Sequence, residues 1–128
     1  MKTILLVEDD PNTSEIYSIQ FKKEGYKVVI ANTVQMALEK IKNDHPDLLV
    51  LDLNLNKNIP GPKDGLDILK AVRQEPKTKD LKVIVTSNYS EKEYSQLSEL
   101  PKLGVIKFFL KVETLPEEIT NNIKEILK

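Results

Sequence analysis

The sequence has no cysteine, which excludes disulfides, thiolate metal sites and cysteine nucleophiles. It has no surplus of charge either. Its 19 basic residues stand against 20 acidic ones, so a broad nucleic-acid footprint is not indicated. The apolar segment at the N-terminus is far too short to span a membrane, and no signal-peptide pattern precedes it. Internal repeats, low-complexity tracts and linkers are absent as well. These absences lead us to expect a cytoplasmic protein with neither nucleic acid nor membrane as a partner. At 128 residues the chain fits one domain with one core, over 1–128. No DNA-binding or enzymatic output domain is expected beside it.

What is present is a set of short, dense apolar runs. Leu48-Leu49-Val50-Leu51-Asp52 puts four large aliphatic side chains in a row before a carboxylate. Such a run reads as a strand buried on both faces, as in a parallel sheet. Asp52 then falls at the carboxyl end of the strand, the edge where open α/β sheets bind ligands. Taken alone, a strand-terminal Asp is as readily the start of a turn. The start of the chain shifts that balance, because the strand ending at Val7 runs straight into Glu8, Asp9 and Asp10. Further strands are expected at 28–31, 81–87 and 105–110, the last followed at once by Lys111.

Helical signals lie between the strands. Asp10-Pro11-Asn12-Thr13 opens the first helix, with Ile16, Ile19 and Phe21 on its apolar side and Gly25 at its end. Asn32 or Thr33 caps the second, where Val34, Ala37, Leu38 and Ile41 fall at helical spacing. The third starts at Gly65 and buries Leu66, Ile68, Leu69 and Val72. A thinly apolar helix over 90–100 is stopped by Pro101, and a last amphipathic helix covers 115–127. Five strands alternating with five helices imply an α/β fold, its parallel sheet joined by right-handed crossovers.

The strands thus deliver Asp9, Asp10, Asp52, Ser87 (or Thr86) and Lys111 to one edge. Three crowded acids repel one another, and their pKa values rise unless something positive sits among them. A hard divalent ion such as Mg²⁺, bound through oxygens, meets that need. A carboxylate beside such an ion, a lysine and a hydroxyl is equipped to attack a phosphoryl group.

This pattern resembles the receiver domain of two-component response regulators, including the chemotaxis-regulator-like ones, over the whole chain. The resemblance rests on Asp9-Asp10 after the first strand, Asp52 in Leu51-Asp52-Leu53-Asn54, and Asp64-Gly65 at the third helix. A Ser or Thr after the fourth strand and Lys111 after the fifth complete it. It implies a doubly wound, flavodoxin-like sheet of order 2-1-3-4-5 with helices on both faces. It implies that Asp52 is the phosphoacceptor, taking phosphate from the phosphohistidine of a histidine kinase or phosphotransfer protein. Mg²⁺ (or Mn²⁺) is implied as cofactor, with Asp10, Asp52 and the Asn54 carbonyl as ligands and Asp9 acting through water. Lys111 and Ser87 would contact the phosphoryl group, and Ser87 with Phe108 would form the switch. The fourth helix, fifth strand and fifth helix would face a downstream protein or a second receiver. The implied chemistry is self-phosphorylation and slow self-dephosphorylation of a signalling phosphoprotein, without turnover of foreign substrates.

The chain departs from the pattern in four places. The loop after Asp52 is long and carries Pro60-Gly61-Pro62; Asn88 replaces a small residue; Pro101 interrupts the fourth helix; and Val112 replaces the proline after Lys111. A non-proline cis bond costs about 2.5–4 kcal/mol, so Lys111-Val112 is expected to be trans, with Lys111 still reaching Asp52. Two rival functions fit the residues less well. A haloacid-dehalogenase-like phosphatase needs a second Asp two residues after the nucleophile, where Asn54 stands. A pseudo-receiver typically loses an acid or the lysine, and this chain keeps them.

Overall fold

The computed structural model describes residues 1–56 and 58–128, so Lys57 of the long loop lies outside the described residues. Five parallel strands form one sheet: β1 (Thr3–Val7), β2 (Lys27–Ala31), β3 (Leu48–Asp52), β4 (Lys82–Ser87) and β5 (Val105–Leu110). Their order is β2-β1-β3-β4-β5. The helices are α1 (Pro11–Lys23), α2 (Val34–Asp44), α3 (Lys63–Gln74) and α4 (Pro116–Ile126).

Side chains alternate across a strand, and the core divides accordingly. Leu5, Val7, Leu49, Leu51, Val83 and Val85 face α2 and α3. Ile4, Leu6, Leu48, Val50 and Ile84 face Tyr17 and Phe21 of α1 and Ile119 and Ile123 of α4. All five residues of β3 are buried, as the uninterrupted apolar run required.

Four expectations about the helices need correction. In α1 the buried residues are Ser14, Tyr17, Ser18 and Phe21, while Ile16 and Ile19 are 52% and 51% exposed. Residues 14, 17, 18 and 21 share one helical face. The two serines give α1 room beside the sheet, and the stacked Tyr17 and Phe21 rings, 6.0 Å apart, fill the space. The isoleucines belong to the opposite face.

The expected helix over 90–100 is instead a pair of 3-10 turns, Ser95–Glu99 and Pro101–Leu103. Leu97 and Leu100 are its buried anchors, and Tyr94 and Leu103 pack more shallowly against the same cluster. Ser98 turns its hydroxyl onto the Ser95 carbonyl at 2.8 Å, a local bond that competes with helix, and Pro101 has no N–H to donate. Among the described residues the sheet is therefore accompanied by four α-helices.

The third correction is at α3, which begins at Lys63 and places Gly65 inside its first turn. A Cβ at Gly65 would run into the backbone of Leu53. Only glycine lets the helix come this close to the end of β3. The last helix likewise starts one residue later than expected, at Pro116.

Candidate functional site

Strand register assembles the site. Val7 lies beside Leu51, and Asp52 beside Thr86. Ser87 lies beside Leu110, so Glu8, which follows Val7, and Lys111, which follows Leu110, are carried to the carboxylate of Asp52. Lys111 Nζ lies 2.6 Å from Glu8 Oε1 and 3.3 Å from Asp52 Oδ2. Glu8 and Asp52 are buried and the lysine nearly so. Ligand oxygens of Glu8, Asp9 and Asp52 all lie within 4.8 Å of one another.

Burial by itself pushes the Glu8 carboxyl up, but the Lys111 ammonium and hydrogen bonds with Asp52, Lys111 and the Asp10 backbone more than offset it, leaving a lowered pKa. For Lys111, burial favours the neutral amine, and the adjacent Asp52 and Glu8 carboxylates override it, leaving a raised pKa. Both groups are therefore charged at neutral pH. Tyr17, on the face of α1 below them, has its phenol pushed up, first by burial and then by Glu8 and Asp52 against the opposing pull of Lys111.

The three acids after β1 take different positions. Asp10 is the N-cap of α1: its carboxylate accepts from Thr13 N at 3.2 Å and from the Thr13 hydroxyl. An Asp just before a helix that opens with proline is well suited to this role. Glu8, which was not selected, takes the place beside Lys111 and Asp52. Register could have found it. Ile4, Leu6 and Glu8 share the sheet face of Leu48, Val50 and Asp52.

The remaining candidates are distributed around this centre. The backbone N–H of Asn54 donates to Asp52 Oδ1 at 3.2 Å, and its side-chain amide approaches the Tyr89 hydroxyl at 3.5 Å. Thr86 is buried opposite Asp52, its carbonyl accepting from Leu53 N at 3.2 Å. Ser87 is buried too, and its hydroxyl donates to the Tyr89 carbonyl at 2.8 Å while accepting from Tyr89 N at 2.9 Å. Phe108 is 38% exposed, and it is Phe109 that packs inward. After β5 the chain forms a 3-10 turn, Lys111–Glu113. No cis peptide bond occurs among the described residues, so Lys111-Val112 is trans, and the ammonium still reaches Asp52. A cleft of about 360 Å³ opens beside Asp9, with Thr33, Asn56 and Asp64 in its walls.

Three carboxylates offering close oxygens fit a hard divalent cation. The same centre gives a buried carboxylate a fixed ammonium neighbour, which is what an anionic transferable group needs for neutralisation.

The model of the response regulator receiver domain matches residues 4–124. Sporulation initiation phosphotransferase F of Bacillus subtilis is 32% identical over 124 residues, covering 97% of this chain and 92% of that protein. The alkaline phosphatase synthesis transcriptional regulatory protein PhoP of the same organism is 29% identical over 99% of this chain, which spans only 49% of PhoP. Among solved structures, a CheY-like response regulator receiver domain protein from Methanospirillum hungatei superposes with a TM-score of 0.82 at 28% identity. That match covers 99% of this chain and 94% of the other.

Proposed function

Since the chain belongs to the response regulator receiver family, we propose that Asp52 is its phosphoacceptor, fed by the phosphohistidine of a histidine kinase or phosphotransfer protein. The observation that carries this reading is the largely buried Lys111 Nζ held between Glu8 Oε1 and Asp52 Oδ2. A carboxylate oxygen of Asp52 attacks phosphorus as the phosphorus–nitrogen bond of the donor breaks, and the histidine nitrogen keeps the electron pair. Lys111 neutralises a phosphoryl oxygen. Glu8 positions the lysine, and the Asn54 N–H orients the Asp52 carboxylate.

Asp9, Asp52 and the Asn54 carbonyl would hold Mg²⁺ (or Mn²⁺), with Glu8 beside them. When bound, the ion supplies positive charge to the transferring phosphoryl oxygens. Asp10 keeps its capping role in this scheme. The Ser87 hydroxyl exchanges its bonds with Tyr89 for the phosphoryl group, with Thr86 as the alternative, and Phe108 follows that change at the surface. The resulting signal is read by a downstream protein or a second receiver at the face formed by residues 95–103, β5 and α4. We take 1–128 as one receiver unit working in the cytoplasm as a regulatory phosphoacceptor.

Incubation with Mg²⁺ and acetyl phosphate tests this reading. The expected product is one stoichiometric acyl-phosphate on Asp52. Absence of any adduct identifies a pseudo-receiver, and continuous turnover of phosphate esters identifies a hydrolase.

A further inference from the structure

β5 is an edge strand, and Ile106, Lys107 and Phe108 are exposed in succession along it. Lys107 and Phe108 pair in regular register with Ile84 and Val85 and so point to opposite faces, and the exposure of both means that neither face of the edge is fully covered there. The short turns at 95–103 leave one side open where a full helix would have shielded it. Ile106 is the extra residue of a bulge, since Val105 pairs with Val83 and Lys107 with Ile84. The regular run is therefore 107–110, and its outer side presents a row of main-chain donors and acceptors.

At the amino end of this strand lies a cleft of about 420 Å³. Leu81, Leu103 and Ile106 give it an apolar lining, and Lys79, Lys82 and Lys102 stand around it with Asp80 as the single acid. Arg73 fixes its wall by donating to the carbonyls of Leu103, Lys79 and Leu81 at 2.6–2.8 Å. Among the described residues no salt bridge engages Lys79, Lys82, Lys102 or Lys107. Lys82 makes one long bond, to the Ile126 carbonyl at 3.3 Å.

We propose that this edge and cleft together accept an extended acidic segment of a partner protein. The segment adds a strand beside β5 through main-chain hydrogen bonds and seats its carboxylates among the lysines. The charge of the site selects the occupant. A second copy of the same edge would bring one lysine-rich surface, with Lys102 and Lys107, up to another, and like charges brought together across strands are unfavourable. Nucleic acid would match the lysines but has no peptide backbone with which to continue a sheet. The inference refines the partner face named above, and it is independent of the phosphoryl chemistry.

The test uses the unphosphorylated Asp52→Asn chain, labelled with ¹⁵N, so that failure of the phosphoacceptor reading leaves it untouched. A blocked peptide of alternating glutamate and valine is titrated in, alongside the same peptide N-methylated at alternate residues. The expected result is amide shifts confined to 79–82 and 102–110, slowed exchange at alternate amides of β5, and no binding of the methylated peptide. The double variant Lys102→Glu/Lys107→Glu should weaken binding roughly tenfold or more with an unchanged melting temperature. Four outcomes overturn the proposal: no perturbation up to millimolar peptide, equal binding of the methylated peptide, tighter binding of a thymidine oligonucleotide in the cleft, or self-association through β5 without peptide.

Discussion

Two segments that follow neighbouring strands behave in opposite ways. After β3, the chain is tied down at once: Leu53 N donates to Thr86 O at 3.2 Å, Gly65 N to Leu53 O at 3.0 Å, and Asn54 N to Asp52 Oδ1 at 3.2 Å. After β4, residues 88–103 pass through two 3-10 turns, anchored in the core by Leu97 and Leu100. The first segment fixes a carboxylate, and the second leaves an edge open. Close backbone ties sit where chemistry needs fixed distances, and the shorter turns sit where a surface is left uncovered.

The largest effect on this contrast should come from Asp52→Asn. The isosteric amide fills the same space and cannot attack phosphorus, so acyl-phosphate formation with acetyl phosphate should be abolished while circular dichroism is unchanged. Persistence of the adduct at its normal rate would remove Asp52 from its proposed role. Next comes Leu49→Ala, which empties the fully buried centre of β3 and should cost about 2–5 kcal/mol in urea unfolding. Gly65→Ala should cost about 1–3 kcal/mol, because the new methyl group forces α3 away from Leu53. A wild-type unfolding midpoint for that variant would mean the close approach is not a constraint.

The division of the acids offers a finer cut. Millimolar Mg²⁺ should raise the melting temperature by binding the folded state, and Asp9→Ala should remove that rise. Asp10→Ala should keep it and cost about 1 kcal/mol through loss of the α1 cap. If the two variants exchange behaviours, Asp10 is the ligand and Asp9 is not. The smallest change should come from Ile19→Ser, within about 0.5 kcal/mol of wild type, because Ile19 is half exposed on the outer face of α1.

The sheet was legible because its strands are short apolar runs too dense for any surface helix, above all β3. The gathering of Asp9, Asp52 and Lys111 was legible because parallel strands deliver their following residues to one edge. Glu8 was missed because three acids in a row were read as a series after the strand. One more step of strand parity places Glu8 on the Asp52 face and frees Asp10 for the helix. The inward face of α1 was missed because hydrophobicity favours isoleucine over serine, whereas close packing here needed the smaller side chains. The segment at 90–103 failed for a different reason. Its few apolar residues were consistent with a weak helix, and local serine bonds and Pro101 decided against one.

The hydrogen bond from Gly65 N to Leu53 O closes residues 54–64 into a loop whose two ends are pinned together next to Asp52. For a closed loop, each doubling of length adds only about 0.6 kcal/mol of closure entropy. Extra residues at the exposed Asn58, Ile59 and Pro60 would therefore swell outward into solvent without altering the distance from Asp52 to Lys111. Loop length is therefore a nearly neutral variable at the exposed Asn58, Ile59 and Pro60, whereas Gly61 and Pro62 are buried, with Gly61 against the Tyr94 ring, and the site beneath keeps its dimensions.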